Sequence, residues 1–475
     1  MFETIIGIEV HCELKTQSKM FSSAPVSFGQ PPNSQAHVID LAMPGTLPSV
    51  NKKAVEMAIR VCHTLHMDID SLLRFDRKNY YYPDLPKGFQ ITQQYHPIGK
   101  NGYLDIEVNG QKIHINIEQL HLEEDTAKLT HDDDYTLIDY NRAGIPLIEI
   151  VTQPQFHNSQ EVCAYLEALR MILIYTDVSD AIMAQGSMRC DINISLRPEG
   201  SQGYGEKVEI KNLNSLANVQ KAIDFEIQRQ TELLLNHCSV PRQTRRFDEK
   251  TQKTIAMRDK ELLADYRYYP EPNILPVRLP WQWIESIKDH LPVLPAQRRD
   301  KYIHEYKLSV KEADTLLLNK DLSDFYDQVV KQCIYYDTVC HWLIGDVLSY
   351  LHKNHLHIHD IFEVQDFAKL MNMTGQGIVS SKQTKQVLSL MILEKKDPLT
   401  IMQKHHIQQM NDENVLIELI EELLDNHFQL VQDYHQGKTN LLGYFVGQVM
   451  KKTQGQANPQ KTNQLLKQLL EKRKT

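Results

Sequence analysis

The feature that most constrains the fold is a strict alternation of apolar and polar side chains near the N-terminus. In residues 6–14 an apolar residue recurs at every second position, which is the period of a β-strand and not of a helix. The apolar positions are Ile6, Ile8, Val10, Cys12 and Leu14. Glu9, His11 and Glu13 therefore share the opposite face of the strand. Such a strand predicts a sheet that buries one face and leaves the other accessible.

Further segments of the first 290 residues show the same strand character. Residues 113–117 alternate isoleucines with polar residues and lead into the acidic run His121-Leu-Glu-Glu-Asp125. Residues 144–152 are almost continuously apolar but contain Glu149, and a lone carboxylate is costly to bury unless it is paired or bound to a metal. Two more segments, 188–196 and 207–211, alternate apolar residues with Arg189, Asp191, Asn193, Ser195, Glu209 and Lys211. The pattern predicts one antiparallel sheet.

On one sheet, these polar faces would bring several carboxylates and His11 together. Like charges at close range require cations between them, and Mg²⁺ prefers oxygen ligands. An acidic face with Mg²⁺ can hold nucleotide phosphates without a phosphate-binding loop, and neither GxxxxGK nor GxGxxG occurs in the sequence. The alternative, an ordinary solvent-facing side of a sheet, is not excluded by the pattern.

An aromatic and basic segment lies between the predicted strands. Three successive tyrosines, Tyr80 to Tyr82, are flanked by Arg77, Lys78 and Lys87 and followed by two prolines. Aromatic rings beside cations can stack on a single-stranded nucleic-acid end. The competing interpretation is a packed aromatic corner.

The domain organisation follows from prolines and from a change of period. Six prolines lie between Pro270 and Pro295, which is typical of a domain edge. Beyond them, apolar residues recur three and four apart, the helical period. The fold class is therefore predicted as α+β: a large domain of residues 1–293 with an antiparallel sheet, followed by helical domains of residues 294–405 and 406–475.

Charge is unevenly distributed along the chain. The net charge of −9 argues by itself against a nucleic-acid partner. However, residues 429–475 contain eight basic and two acidic side chains, a local charge of +6, so residues 1–428 carry −15. Residues 412–427 contain six acids and no lysine or arginine. The tail is either a basic module for a phosphate backbone or a pair of solvated helix faces.

Composition excludes several classes of protein. No apolar run reaches the ~18 residues of a membrane span, and the first residues lack a secretory signal. Seven scattered cysteines without a CxxC pair indicate reduced thiols, so we expect a cytoplasmic protein without a membrane partner. The glycine- and serine-rich amidase signature is absent, and Cys12 cannot pair with His11 because neighbours in a strand point to opposite faces.

Several motifs resemble one known family closely. They are Ile6-Gly-Ile-Glu-Val-His11, Asp76–Gln90, His121–Asp125, Asp139-Tyr-Asn-Arg142, Arg189-Cys-Asp191, Glu209-Ile-Lys-Asn-Leu-Asn214, Asp265–Pro272, Gly447–Met450 and Gly455–Pro459. Together they look like the B subunits (GatB) of tRNA-dependent amidotransferases. The full enzyme of that family is aspartyl/glutamyl-tRNA(Asn/Gln) amidotransferase, GatCAB. The resemblance extends over nearly the whole chain.

The resemblance implies a reaction and its partners. In that family, ATP phosphorylates the side-chain carboxylate of Glu or Asp mischarged on tRNA(Gln) or tRNA(Asn). Ammonia from the glutaminase A subunit then displaces the phosphate, and a small C subunit completes a heterotrimer. ATP and Mg²⁺ are the implied cofactors, and residues 1–293 would form the family's cradle domain. The missing amidase signature fits, because that chemistry belongs to the A subunit.

The resemblance also implies site residues. By position, Glu9, Glu124 and Glu209 correspond to ligands of the Mg²⁺ that accompanies ATP, and His11 and Glu149 to a second cation site. Asp191 could serve either site. Contacts with phosphate, the tRNA acceptor end or the ammonia route are implied for Lys78 and Lys87, and nucleotide binding for Lys211. The basic tail residues Lys451, Lys452, Lys461 and Lys467 would hold the body of the tRNA.

This sequence departs from the family pattern at three places. They are Thr126-Ala127-Lys128, where relatives have a glycine, Ala264, where they often have histidine, and Phe247, where tryptophan is common. Two other hypotheses also fit the residues: an RNA-binding protein with an inert acidic sheet, and a metal-dependent phosphoester hydrolase.

Overall fold

The structure is a computed structural model that describes residues 2–257, 265–407, 413–453 and 457–473. The chain divides into two compact units, Met1–Leu294 and Pro295–Thr475. Two residues named in the sequence analysis lie outside the described residues. They are Ala264, one of the departures from the family pattern, and Gly455 of the tail motif.

The first unit is built on a nine-stranded sheet. The strands of this unit are β1 Phe2–Glu13, β2 Asp68–Ile69, β3 Leu72–Leu73, β4 Asp76–Asn79, β5 Phe89–Thr92, β6 Gly99–Val108, β7 Gln111–Glu124, β8 Lys128–His131, β9 Thr136–Asp139, β10 Pro146–Thr152, β11 Met188–Pro198, β12 Val208–Leu213, β13 Gln243–Asp248, β14 Lys253–Ala256, β15 Tyr269–Pro270 and β16 Val277–Arg278. The strand order of the large sheet is β14-β13-β12-β11-β1-β10-β7-β6-β2. Smaller sheets have the orders β15-β4-β5, β16-β3 and β8-β9.

The predicted α+β class is confirmed, with one parallel pair in an otherwise antiparallel large sheet. Strands β12 and β13 run parallel. A parallel pair needs a crossover connection, and the helix between these two strands supplies it. The helices of the first unit are α1 Lys52–Thr64, α2 Ser159–Tyr175, α3 Leu216–Leu235 and α4 Trp281–Asp289, with a short 3₁₀ helix at Met183–Gln185.

Strand β1 shows how the alternation places the core. Ile6, Ile8, Val10 and Cys12 are buried in one hydrophobic core with apolar residues of the neighbouring strands and of α1, α2 and α3. The three helices begin where a side chain caps the first backbone N–H groups: Asn51 for α1, Asn158 for α2 and Ser215 for α3. The opposite, polar face of the sheet is not covered by these helices. Phe247 packs into the same core.

The regular structure of the described residues in the second unit is helical. The helices are α5 Pro295–His304, α6 Val310–Leu317, α7 Lys320–Val329, α8 Tyr336–Trp342, α9 Leu348–Asn354, α10 Val364–Gly375, α11 Ser381–Glu394, α12 Pro398–Lys404, α13 Glu413–Asn426, α14 Phe428–His435, α15 Leu441–Lys452 and α16 Pro459–Lys472. A π-helical turn spans Leu343–Val347 and a 3₁₀ turn Ile358–Asp360. Helices α13 to α16 share a separate hydrophobic core. The predicted boundary between residues 405 and 406 stays a prediction.

The acidic and basic parts of the tail, separate in sequence, are adjacent in space. Three tail cations pair with α13: Lys452 with Glu422 at 2.8 Å, Lys461 with Glu413 at 3.0 Å, and Arg473 with Asp425 at 2.7 Å. Part of the local charge of +6 is therefore neutralised within the fold. The exposed residues Lys451, Lys467 and Lys472 form no ion pair with the described residues.

No helix within the described ranges is long and apolar enough to cross a membrane.

Candidate active site

The register of β1 with its two neighbours builds the site on the polar face of the large sheet. His11 lies opposite Glu149 on β10 and opposite Arg189 on β11. Glu9 lies opposite Asp191. Because side chains two apart in a strand point to the same face, this register gathers residues from three strands into one cluster.

Among the described residues, two groups of side chains on this face could hold a cation. Ligand atoms of Glu9, His11 and Asp191 all lie within 4.8 Å of one another, and so do those of His11, Glu123 and Glu149. The structure thus brings together the predicted residues Glu9, Asp191, His11 and Glu149. The shared member of the two groups is His11.

The second group is a network of two histidines and two carboxylates. His11 Nδ1 lies 3.1 Å from Glu123 Oε1 and 3.7 Å from Glu149 Oε2. His121 Nε2 lies 3.1 Å from Glu149 Oε2 and 3.6 Å from Glu123 Oε2. The Nδ1 of His121 is buried and has no hydrogen-bond partner among the described residues.

Electrostatics stabilise opposite charges in this network. Burial acts to lower the pKa of His11, but the hydrogen bond with Glu123 and the charge of Glu149 outweigh it and raise the pKa to about 9. The pKa of His121 is likewise raised to about 10 against burial, chiefly by Glu149 and Glu123. Burial acts to raise the pKa of Glu123, yet its bonds to both histidines lower it. The two histidines are thus the counter-charges of the two carboxylates.

Glu9 and Glu13 have a different environment. Burial raises the pKa of Glu9, with a further contribution from the charge of Glu149, while a hydrogen bond of 2.8 Å from Asn193 Nδ2 opposes the shift. Burial, followed by the charge of Asp125, raises the pKa of Glu13 to about 7. A carboxylate whose charge is disfavoured in this way gains from a nearby cation.

Glu124 lies apart from both groups. Its carboxylate contacts the ammonium of Lys87 and accepts a hydrogen bond of 3.0 Å from Ile91 N. The reason is the alternation of β7: Glu123 points to the polar face, so Glu124 points to the other. The assignment of Glu124 as a metal ligand stays a prediction, and the structure gives it a salt bridge with the predicted residue Lys87.

Glu209 and Lys211 flank the first group from β12. The ammonium of Lys211 contacts Asp191 and lies 3.0 Å from Glu209 Oε1. Thr244 Oγ1 donates to Glu209 Oε2 at 2.7 Å. Burial acts to lower the pKa of Lys211, but Asp191 and Glu209 raise it, so the ammonium stays charged. Lys211 is the counter-ion of two predicted site residues.

Lys78 approaches the network from β4. Its Nζ lies 4.9 Å from the ring centroid of Tyr266. Burial acts to lower its pKa, and the charges of Glu123 and Glu149 raise it, which places Lys78 within the electrostatic field of the network.

The tyrosine segment has two environments. Tyr80 packs edge-on against Tyr266 at 6.2 Å, as in a packed corner, whereas Tyr81 is 98% exposed. Tyr82 is also exposed. Rings available for stacking therefore remain beside Lys78.

Sequence reasoning gave no individual role to four contributors. It placed Glu123 only among the acids expected to serve Mg²⁺ as a group, His121 only in the acidic run, and Arg189 and Asn193 only on the polar face of a strand. The alternation of β7 carried a usable signal, since His121 and Glu123 alternate with Leu120 and Leu122, both buried. Asn193 matters because its Oδ1 is buried without a hydrogen-bond partner in the described part of the chain. It offers an additional oxygen beside Glu9.

A cavity of about 320 Å³ opens beside Glu9 on the same face. Its lining includes Gly7, Asn193, Tyr204 and Lys207 together with Glu9. The cavity is at the small end of the size range of ligand sites. It offers space for part of a ligand next to the first cation group.

Comparisons with known proteins found matches over most of the chain. Residues 4–285 match the GatB/GatE catalytic domain, and residues 324–470 match the GatB domain. The chain is 48% identical over 473 residues to the B subunit of aspartyl/glutamyl-tRNA(Asn/Gln) amidotransferase from Staphylococcus saprophyticus, covering 99% of this chain and 100% of that protein. It is 44% identical over 472 residues to the protein of the same name from Mesoplasma florum, covering 99% and 98%.

Proposed function

We infer the function of this chain from its family, because the chain belongs to the B subunits of aspartyl/glutamyl-tRNA(Asn/Gln) amidotransferase. We propose that it activates and amidates a mischarged aminoacyl group. The substrates are Glu-tRNA(Gln), Asp-tRNA(Asn) or both, with ATP. The chain works in a cytoplasmic heterotrimer with a glutaminase A subunit and a small C subunit.

The proposed reaction has two steps. An oxygen of the side-chain carboxylate attacks the γ-phosphorus of ATP, the bond to the bridging oxygen breaks, and ADP leaves. Ammonia then attacks the carbonyl carbon of the acyl phosphate. The carbon–oxygen bond breaks, the amide forms, and one ammonia proton leaves with the phosphate as hydrogen phosphate.

The observation that carries the proposal is the convergence of Glu9, His11 and Asp191 on one face of the sheet. The donor set fits a hard divalent cation, because oxygen comes from two carboxylates and from Asn193 Oδ1, which has no partner among the described residues. When bound, Mg²⁺ supplies charge neutralisation where one anion attacks another. Glu9 and Asp191 would hold it, with His11 and Glu149 at the second site.

Lysines provide the positive charges that the carboxylates and the substrate phosphates require. Lys211 orients Asp191 and Glu209 and provides a cation for phosphate, as does Lys207, which lines the cavity. Lys78 and Lys87 lie on the side of the tyrosine segment, where we place the acceptor end of the tRNA and the incoming ammonia. Glu124 fixes Lys87.

The test is reconstitution with the A and C subunits. Conversion of Glu-tRNA(Gln) to Gln-tRNA(Gln) should require ATP, be abolished by EDTA and return on addition of Mg²⁺. Free ammonia should replace glutamine. Phosphoester cleavage by this chain alone, without tRNA or partners, would support a hydrolase instead. Transamidation that is insensitive to removal of ATP or divalent cation would contradict the proposal.

The unpaired tail lysines yield a separate prediction about tRNA affinity. We expect the triple substitution of Lys451, Lys467 and Lys472 by alanine to make the plot of log affinity against log salt less steep, by about 2 to 3 in slope. The reason is that each phosphate contact that is lost removes ~0.7–0.9 from the slope. The measurement is a tRNA-binding titration of the heterotrimer at several salt concentrations. ATP hydrolysis should remain detectable.

Lys452 and Lys461 provide the matched control, because each already pairs with an acid of α13. Their replacement by alanine should change the slope less per lysine than the triple substitution does. An unchanged slope in the triple variant would show that the tail does not contact the tRNA backbone.

A further inference from the structure

Two arginines share one carboxylate at the edge of the candidate site. Arg189 Nη2 donates to Asp125 Oδ2 at 2.8 Å, and Arg142 Nε lies 3.2 Å from the same oxygen. The side chain of Asp125 is 5% exposed, whereas those of Arg142 and Arg189 are 36% and 35% exposed. One buried carboxylate thus anchors two cations that reach solvent.

Most guanidinium nitrogens of this pair have no acceptor among the described residues. The Nε of Arg189 is buried and forms no hydrogen bond with any residue that the structure describes. The hydrogen bond of Arg142 runs from Nε to Thr126 O at 3.1 Å, so its two terminal nitrogens are free of partners within the described ranges. Since buried donors are almost always satisfied, the buried Nε of Arg189 calls for an acceptor, and the partly exposed terminal nitrogens beside it are accessible to the same ligand.

Buried hydrogen bonds hold the loop that carries Arg142. The buried ammonium of Lys19 donates to Asp40 Oδ2 at 3.0 Å and to Tyr140 O at 3.2 Å. Gly144 has φ +85°, and a Cβ there would lie 2.9 Å from Asp40 Oδ1. A fixed loop keeps Arg142 preorganised, which lowers the entropy cost of binding.

The arginine pair adjoins the first cation group. Arg189 lies opposite His11 in the register of β1 and β11, and two residues before Asp191 on the same face. A ligand held by both guanidinium groups would therefore lie beside Glu9, His11 and Asp191. That is the place where an attacking oxygen must meet a cation-bound phosphate.

We propose that Arg142 and Arg189 bind the side-chain carboxylate of the glutamyl or aspartyl group on the tRNA, an assignment that rests on the proposed function. Guanidinium groups match a planar carboxylate with paired N–H donors. The amide product replaces one oxygen with an NH₂ donor, which faces the guanidinium N–H groups unfavourably. The subsite therefore favours substrate over product.

The test compares binding of Glu-tRNA(Gln) and Gln-tRNA(Gln) to the assembled heterotrimer in the absence of ATP. Because both ligands share the tRNA body, the ratio of their affinities isolates the side chain. We expect wild type to bind Glu-tRNA(Gln) about tenfold more tightly, and Arg189→Gln and Arg142→Gln to reduce this ratio to about twofold or less. Arg→Lys variants, which keep the charge but lose the paired donors, should give intermediate ratios.

Arg170→Gln is the control, because Arg170 pairs with Glu167 on α2, away from the polar face. It should leave the ratio unchanged. A wild-type ratio retained in both the Arg142 and Arg189 variants would overturn the assignment. So would a rise in the KM for ATP without a change in the ratio, which would place a phosphate there. The Arg142 variants keep the test decisive if Arg189→Gln fails to assemble.

Failure of this inference is distinguishable from failure of the proposed function. A wild-type heterotrimer that amidates Glu-tRNA(Gln) with ATP, but shows no arginine-dependent preference, would refute only the carboxylate subsite. A wild-type heterotrimer without ATP-dependent amidation would refute the function itself.

Discussion

Replacement of Asp191 by asparagine should reduce ATP-dependent transamidation by the heterotrimer about 10²–10³-fold, while tRNA affinity stays within about twofold of wild type. Asp191 contributes a carboxylate to the Glu9–His11–Asp191 group and contacts the Lys211 ammonium. The neutral amide keeps the shape of the side chain but removes the charge needed to hold a cation opposite an anionic substrate. The loss should therefore fall on kcat.

Initial rates of Gln-tRNA(Gln) formation, measured against both ATP and Glu-tRNA(Gln), provide the measurement. Asp105→Asn is a suitable control, because Asp105 is exposed on β6 and bonds His114. Glutaminase activity of the A subunit, measured separately, reports correct assembly. Activity of Asp191→Asn within about threefold of wild type would remove Asp191 from the site and favour an inert acidic sheet.

Replacement of Asp40 by alanine should destabilise the first unit by about 3–5 kcal/mol, the usual cost of leaving one partner of a buried ion pair alone. Lys19 is fully buried and Asp40 is 6% exposed. Asp40 Oδ2 accepts hydrogen bonds from Lys19 Nζ at 3.0 Å and from His37 N at 2.9 Å. Burial lowers the pKa of Lys19, and the charge of Asp40 opposes that shift. Without Asp40, the ammonium has lost its counter-ion.

Urea denaturation of the full chain followed by circular dichroism gives the comparison. The matched control is Asp180→Ala, because the Lys15–Asp180 pair has the same 3.0 Å separation but side chains 55% and 60% exposed, and should contribute at most about 1 kcal/mol. The double variant Lys19→Met/Asp40→Leu should recover most of the loss, since apolar side chains replace a buried ion pair well. Equal effects of Asp40→Ala and Asp180→Ala would contradict this account.

The same buried pair bears on function. Lys19 also holds Tyr140 O, two residues before Arg142. We therefore expect loss of Asp40 to loosen the loop that positions Arg142, in addition to lowering stability.

Much of the site could be predicted from the sequence, because strand alternation is local. Period two placed Glu9, His11 and Glu13 on one face of β1 and the core residues on the other, as the structure has them. The motif resemblance then identified the family over nearly the whole chain. Neither argument needed a contact between distant residues.

The pairing of strands could not be predicted in this way. Register joins β1 to β10 and β11, which are more than 130 residues away in sequence, and it decides that Glu9 meets Asp191 and His11 meets Glu149. The choice between Glu123 and Glu124 depended on an irregularity inside β7. The buried residues Ile115 and Ile117 would place Glu123 on the core side, whereas the buried residues Leu120 and Leu122, which follow the register shift, place it on the polar face.

The tail gives the same division between local and tertiary information. The sequence by itself determined the fold class, the strand faces, the helical period after Pro295 and the uneven charge, since each depends on neighbours along the chain. Only the tertiary structure decided that α13 neutralises part of the basic tail and that Asp125 joins Arg142 to Arg189. Those pairings depend on distances across the fold, and Coulomb energies follow separation in space and not along the sequence.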